Sequence, residues 1–193
     1  MGATLSGDGF CDNESNKRLG LAKADFNNLV RIWLHSSLNQ RRELELFAAL
    51  IESRLFYALA SVCMTVAQEK RLNGFQSYFE DTPVIYISRV SNAAVLNLAH
   101  KRPASEVLQE RRLILLGKIL RSPANSPLRL PTLAGDTTTA ATDVFVRRVD
   151  RPRKEWYKEV RNIALQRLGS WSQVLDLVVD ERAWKAAIKF SFL

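Results

Sequence analysis

Residues 15–38, SNKRLGLAKADFNNLVRIWLHSSL, set the fold class because their apolar side chains recur at three- and four-residue steps. This spacing places one set of side chains on a single helix face: Leu19, Ala22, Phe26, Leu29, Val30 and Trp33. A similar stripe predicts a second helix from Asn39 to about Val62. The short Ser36-Ser37 break between the two predicts an antiparallel pair.

Helical signals continue along the chain. Thr65 and Gln68 have the spacing of a capping box, which predicts a helix over residues 66–78. Further helices are predicted at 91–100, at 105–121, from Pro152 to about Leu168, and once or twice within 171–192, after the break at Gly169-Ser170. We therefore expect a mainly α fold, a bundle of about six to eight helices with at most a short N-terminal strand or hairpin.

Composition divides the chain into three parts. Residues 123–143 contain prolines followed by small polar residues, which is typical of a mobile linker. The prediction is a helical domain at 1–122, this Pro/Thr/Ala-rich linker, and a basic helical segment at 144–193.

The residue composition and the length of the apolar runs exclude several classes of protein. Two distant cysteines and two isolated histidines cannot form a clustered zinc site. The longest mostly apolar run, residues 55–67, is shorter than the roughly 20 residues that cross a bilayer. No secretion signal opens the chain. We expect an intracellular protein, cytoplasmic or nuclear, with no membrane partner, no metal and no cofactor.

The net charge of +8 is concentrated in two segments. Residues 101–122 hold six basic and two acidic side chains, and residues 147–161 hold seven basic and three acidic ones. A concentrated positive charge favours a polyanionic partner. A solvated helix face explains such a run equally simply, so both interpretations stay open.

Candidate nucleic-acid contacts follow from this charge. Basic side chains neutralise phosphates, and an exposed aromatic ring stacks on unpaired bases. The candidates are Arg111, Lys118, Arg121, Arg147, Arg148, Arg151, Arg153, Lys154, Trp156 and Lys158. Trp156 has the alternative role of a core anchor in its helix.

Catalysis by this chain alone is not predicted. Metal-dependent strand transfer needs convergent carboxylates, and no such pair occurs at a strand turn. Glu80-Asp81 and Asp180-Glu181 fit helix ends better, and no phosphate-binding glycine loop occurs.

Several stretches, in order, resemble the region after the palm of non-LTR (LINE-like) retrotransposon reverse transcriptases. Residues 2–6 are similar to the strand after the catalytic core, 47–57 to an "L-F-x-A-x-V-x-S-x-L-L-Y" stretch, and 71–76 to "R-L-x-x-F-Q"; residues 87–92 are the sharpest local match. Residues 112–121 resemble "R-x-x-L-L-G-H-(I/V)-L-R", with Lys118 at the usual histidine, and 148–156 resemble "R-x-G-R-P-R-x-x-W", with Asp150 at the glycine. Residues 77–86 depart from the family, being acidic, proline-broken and shortened.

The resemblance implies thumb-like helices that hold a template–primer duplex, with the palm and its catalytic aspartates expected before Met1. The expected function is therefore that of a reverse-transcriptase tail binding RNA or DNA with tolerance for sequence, and not an enzyme by itself. Its expected partners are nucleic acid, a separate palm or a second copy. The alternatives are a helical interaction module or a relic of a mobile element.

Overall fold

The computed structural model describes residues 12–33, 35, 42, 45–80, 102–144 and 155–189. Over these residues the chain is mainly helical, which confirms the predicted fold class, and its β pairing is one isolated bridge between Leu133 and Ala140. The helical elements are α1 (Asp12–Trp33), a π-helical segment (Phe47–Glu52) continued by α2 (Ser53–Leu55), a 3-10 turn (Leu59–Ser61), α3 (Val66–Glu80), α4 (Ala104–Arg121), α5 (Ala141–Val144), α6 (Trp156–Leu168), α7 (Trp171–Val179) and α8 (Glu181–Ile188). The predicted N-terminal strand and the helix at 91–100 lie outside the described residues.

The first two predicted helices pack as the antiparallel pair that the sequence indicates. Phe26 meets the ring of Phe47 edge-on at 6.3 Å, and Asp25 binds Arg54 at 2.6 Å. Further back along α1, the Arg18 guanidinium lies 4.4 Å from the centre of the Tyr57 ring. Contact positions thus fall along α1 as they rise along the partner, which is the antiparallel order.

The second predicted helix does not run on to Val62. It ends at Leu55, and Ala58 takes the left-handed conformation (φ +63°) before the 3-10 turn. Phe56 and Leu59 on either side of Ala58 are buried in the core. The prediction of one continuous helix was wrong here, because periodicity alone does not register a turn that packing stabilises.

Local capping signals were more dependable. The Thr65 amide donates to Gln68 Oε1 at 2.7 Å, and the Gln68 amide donates to Thr65 Oγ1 at 3.3 Å, which confirms the capping box of α3. Asp180 caps α8 by accepting from the Arg182 amide at 2.9 Å, as expected for an acid at a helix start.

The sixth helix starts later than predicted. Glu155 is extended (φ −99°, ψ 122°), so α6 begins at Trp156 and not at Pro152. Its end was predicted correctly, since Gly169 adopts φ +84° and Ser170 caps α7. A glycine in the left-handed region is the usual way to end a helix.

The chain divides into two compact units, residues 1–108 and 109–193, each with its own core. Unit 1 buries side chains of α1, the π-helical segment and α3, including Phe26, Phe47 and Leu72. Unit 2 buries side chains of α4 and α6–α8. The division differs from the sequence prediction, because the proline-rich residues 123–143 belong to unit 2 and contribute Leu133 and Ala140 to its core.

Trp184 is the centre of the unit 2 core and is fully buried. Its Nε1 donates to the Leu113 carbonyl of α4 at 3.0 Å. The indole lies directly against Gly117, where an added Cβ would stand 2.3 Å from Nε1. A glycine inside a helix is unfavourable, so its role at this position is to admit the indole.

Candidate nucleic-acid interface

The basic residues of α4 differ sharply in exposure. Arg112 is 1% exposed and its Nη1 lies 3.3 Å from Glu159 Oε1 in α6. Lys118 is exposed, whereas Arg111 and Arg121 are half-buried. Arg112, which was counted in the basic segment 101–122 but not among the candidate contacts, therefore belongs to the interior.

Lys118 and Arg121 converge with Lys185 of α8 around a single carboxylate. Lys185 Nζ lies 2.5 Å from Glu181 Oε1, and Arg121 Nη2 lies 3.9 Å from Glu181 Oε2. The hydrogen bond from Lys185, together with the charges of Lys185, Arg121 and Lys118, lowers the pKa of Glu181 below its ordinary value. Three cations around one acid leave an excess of positive charge, and we name these four residues the α4–α8 cluster.

Sequence reasoning missed Lys185, which lies outside the two basic segments. Lys185 follows Glu181 by four residues, a spacing typical of an exposed helical ion pair. Its proximity to the end of α4 depends on the packing of Trp184, the preceding residue, against Gly117.

Arg121 also has a structural role, since its Nη1 donates to the Val178 carbonyl of α7 at 3.1 Å. It lines an open groove of about 500 Å³ together with Arg129, Leu175 and Val179. Part of its hydrogen-bonding capacity is therefore already used within unit 2.

Lys158, a predicted contact, lies between two acids. Its Nζ is 2.6 Å from Asp143 Oδ1 and 3.0 Å from Glu155 Oε2. Hydrogen bonds to Asp143 and then to Glu155 raise the pKa of Lys158. A cation neutralised in this way has little charge left for a phosphate.

The aromatic residues of α6 belong to the core of unit 2. Trp156 is half-buried and packs against that core, as in its alternative role of anchor. Tyr157 is buried, donates to the Thr138 carbonyl at 2.5 Å, and meets the Trp171 ring edge-on at 6.4 Å. Burial raises the pKa of Tyr157, although the charges of Arg161 and Arg129 act in the opposite direction.

The densest predicted contacts cannot be placed. Arg147, Arg148, Arg151, Arg153 and Lys154 lie outside the described residues. They remain predictions from sequence.

Arg129, which was not predicted, holds together the proline-rich segment. Its guanidinium donates to four backbone carbonyls at 2.9–3.2 Å, those of Leu120, Ser122, Gly135 and Thr137. Among the described residues no carboxylate lies within 4 Å of it. Nothing in the local sequence distinguishes this arginine from a surface one.

Within the described ranges the chain has neither a metal-binding cluster nor a membrane-spanning helix. No group of three or more histidine, cysteine, aspartate or glutamate side chains there could hold a metal ion. None of the helices there is long and apolar enough to cross a bilayer.

Comparison with known proteins gives no relative: no family model, no curated protein and no solved structure matches this chain.

Proposed function

We propose that this protein binds the nucleic-acid backbone with tolerance for sequence, and that its residues correspond to the region after the palm of a non-LTR retrotransposon reverse transcriptase. The observation that carries the proposal is the α4–α8 cluster, in which Lys118, Arg121 and Lys185 share a single acid. Clustered cations on one surface bind phosphates and release counterions.

Residues 147–154 supply further candidate phosphate contacts in the sequence. They hold Arg147, Arg148, Arg151, Arg153 and Lys154 against one acid, Asp150. They precede α6 in the same unit as the cluster. The ordered series of sequence resemblances supports the ancestry, and the backbone of an RNA–DNA hybrid is the ligand that this ancestry implies.

The test is fluorescence anisotropy of a labelled RNA–DNA hybrid at several salt concentrations. We expect affinity to fall steeply with salt, and the slope of log K against log [salt] to become shallower by about one for each phosphate contact removed. The variant K118Q/K185Q should weaken binding, because it removes two cations of the cluster and leaves the Arg121–Val178 hydrogen bond in place. The triple variant R151Q/R153Q/K154Q should weaken it further.

Lys158→Gln is the matched control. It removes one positive charge from the same unit, but from a side chain already held by Asp143 and Glu155. We expect its affinity and salt slope to stay near those of the unmodified protein. Absence of binding even at low salt would overturn the proposal and leave a helical interaction module or a relic. Recovery of polymerase activity on mixing with a separate palm would add a partner to the proposed function.

A further inference from the structure

A groove in unit 1 combines an apolar floor with two cations that pair with no carboxylate among the described residues. It has a volume of about 560 Å³ and lies between α1 and α3, lined by Asn16, Leu19, Gly20, Lys23, Arg71 and Phe75. The α1 residues fall at the three- and four-residue steps of one helix face, and Arg71 and Phe75 are four apart on α3. The residues that line the groove therefore form a continuous strip on each helix.

The charges around the groove are unequal. Lys23 and Arg71 are both exposed, and neither lies within ion-pair distance of a carboxylate in the described part of the chain. Arg71 Nη1 is instead oriented by Asn16 Oδ1 at 3.1 Å. Two acids of α1 are engaged elsewhere, Glu14 with Arg18 and Asp25 with Arg54.

The floor of the groove suits a ligand with a flat or apolar portion. Leu19 and Phe75 are only partly buried, so each packs against the core while still lining the groove. Gly20 leaves the space above α1 open, since a Cβ built there meets no atom within 4 Å. Cations beside an aromatic floor are the combination by which proteins hold single-stranded nucleic acid.

We infer that this groove binds one segment of a single nucleic-acid strand, with a phosphate at Lys23 and Arg71 and a base or sugar against Phe75 and Leu19. The inference deepens the proposed function, because it adds a second contact in the other unit and names its ligand as an unpaired strand. The two surfaces share no residue, so each can fail without the other.

The experiment is anisotropy of a labelled ten-nucleotide oligo(dT) and oligo(U) with the full chain, at several salt concentrations. K23Q/R71Q should weaken binding at least tenfold, and it should make the salt slope shallower by about 1.4, since each contact with a single strand contributes about 0.7. The matched control R31Q/K70Q removes the same charge from exposed positions of α1 and α3 that do not line the groove. We expect the control to bind nearly as the unmodified protein does.

A second variant tests the groove without changing charge. Gly20→Leu replaces a poor helix former by a good one and fills the open space, so it should keep or raise thermal stability while weakening oligonucleotide binding. Circular dichroism melts of all the variants check the fold. Weaker binding with an intact melt is the expected result, and unchanged binding by both Gly20→Leu and K23Q/R71Q would overturn the inference.

The remaining measurements test whether the groove prefers another ligand, and whether its binding is independent of the α4–α8 cluster. Polyglutamate and phosphatidylserine vesicles are the competitors. If the protein binds labelled polyglutamate more tightly than the oligonucleotide, the ligand is an acidic peptide and the inference is overturned. Tighter binding to the vesicles would overturn it in favour of a membrane surface. K118Q/K185Q should reduce hybrid binding but leave the effect of K23Q/R71Q on oligo(dT) unchanged. If K23Q/R71Q has no effect while K118Q/K185Q does, the proposed function stands and the groove does not.

Discussion

Arg18 of unit 1 and Arg129 of unit 2 are both buried, but they are stabilised in different ways. In unit 1, Arg18 is buried with Glu14, and Arg18 Nη2 lies 2.6 Å from Glu14 Oε1. In unit 2, Arg129 is buried among four backbone carbonyls. The first arrangement removes a charge from the unit's total, whereas the second keeps it and uses it to fix a loop.

This difference changes how a count of basic residues is interpreted. Unit 2 contains four of the six bases of segment 101–122 and all of segment 147–161. Yet Arg112 is an interior residue, Lys158 is held by two acids, and Arg129, between the segments, is also buried. Unit 1 shows no basic segment within its described residues, yet Lys23 and Arg71 are exposed beside one groove. Net charge along the sequence therefore does not locate the cations that a phosphate can reach.

The largest expected effect tests the charge pair of unit 1. Glu14→Gln removes the carboxylate that pairs with the buried Arg18 guanidinium, which should lower the free energy of unfolding by about 3–5 kcal/mol. Urea denaturation followed by circular dichroism measures the change. The control is Glu45→Gln, which breaks an exposed pair with Arg42 and should cost within about 0.5 kcal/mol. If the double variant Glu14→Gln/Arg18→Met loses as much unfolding free energy as the two single variants together, the two side chains are not coupled.

The second prediction concerns the four backbone carbonyls that accept hydrogen bonds from Arg129 in unit 2. Arg129→Met leaves the carbonyls of Leu120 and Thr137 without their donor, so we expect a loss of about 1–3 kcal/mol. Three of the four tryptophans lie in unit 2, so their fluorescence during denaturation follows this unit. Arg182→Met, at an exposed position of α8, should change little. Equal losses of unfolding free energy from Arg129→Met and Arg182→Met would show that the carbonyl hydrogen bonds of Arg129 do not stabilise unit 2.

The third prediction is that alanine substitution changes stability in opposite directions at two mid-helix glycines. Gly117→Ala places a Cβ against Trp184, and such overpacking should cost about 1–3 kcal/mol. Gly20→Ala meets open space and should raise stability by about 0.5–1 kcal/mol. Thermal melts of the two single variants measure both effects. A gain in stability from Gly117→Ala would mean that the indole does not require the glycine.

The smallest effect is a pH dependence in unit 2. Burial raises the pKa of Tyr157, so the folded state holds the phenolic proton more tightly than the unfolded chain does. The associated stability is fully present below the ordinary tyrosine pKa of 10.0 and is lost as pH rises through the higher folded value. The difference in unfolding free energy between the unmodified protein and Tyr157→Phe should therefore shrink above pH 10.

Much of the fold could be predicted because its signals are local. The α1 stripe, the Thr65–Gln68 box, the Asp180 cap and the Gly169 break depend on residues within a few positions of one another. The turn at Ala58 and the late start of α6 could not be predicted. Each depends on contacts distant in sequence, or on a backbone conformation that the residue type does not demand.

The candidate site was less predictable for the same reason. Lys118 and Arg121 were identified from charge, but their convergence with Lys185 depends on how α8 packs on α4. Arg112 contributes to the positive charge of residues 101–122, but its side chain is buried and pairs with Glu159. The five bases between 147 and 154 stay predictions.

The sequence by itself determined the helical class, the caps and breaks of several helices, and the total of +8. Only the tertiary structure decided which cations face water, because helical periodicity gives a residue's face but not what covers that face. It also decided why Gly117 is a glycine and why Gly20 lies beside an open groove. Both are glycines inside helices, and the presence or absence of a neighbouring side chain separates the packed position from the open groove.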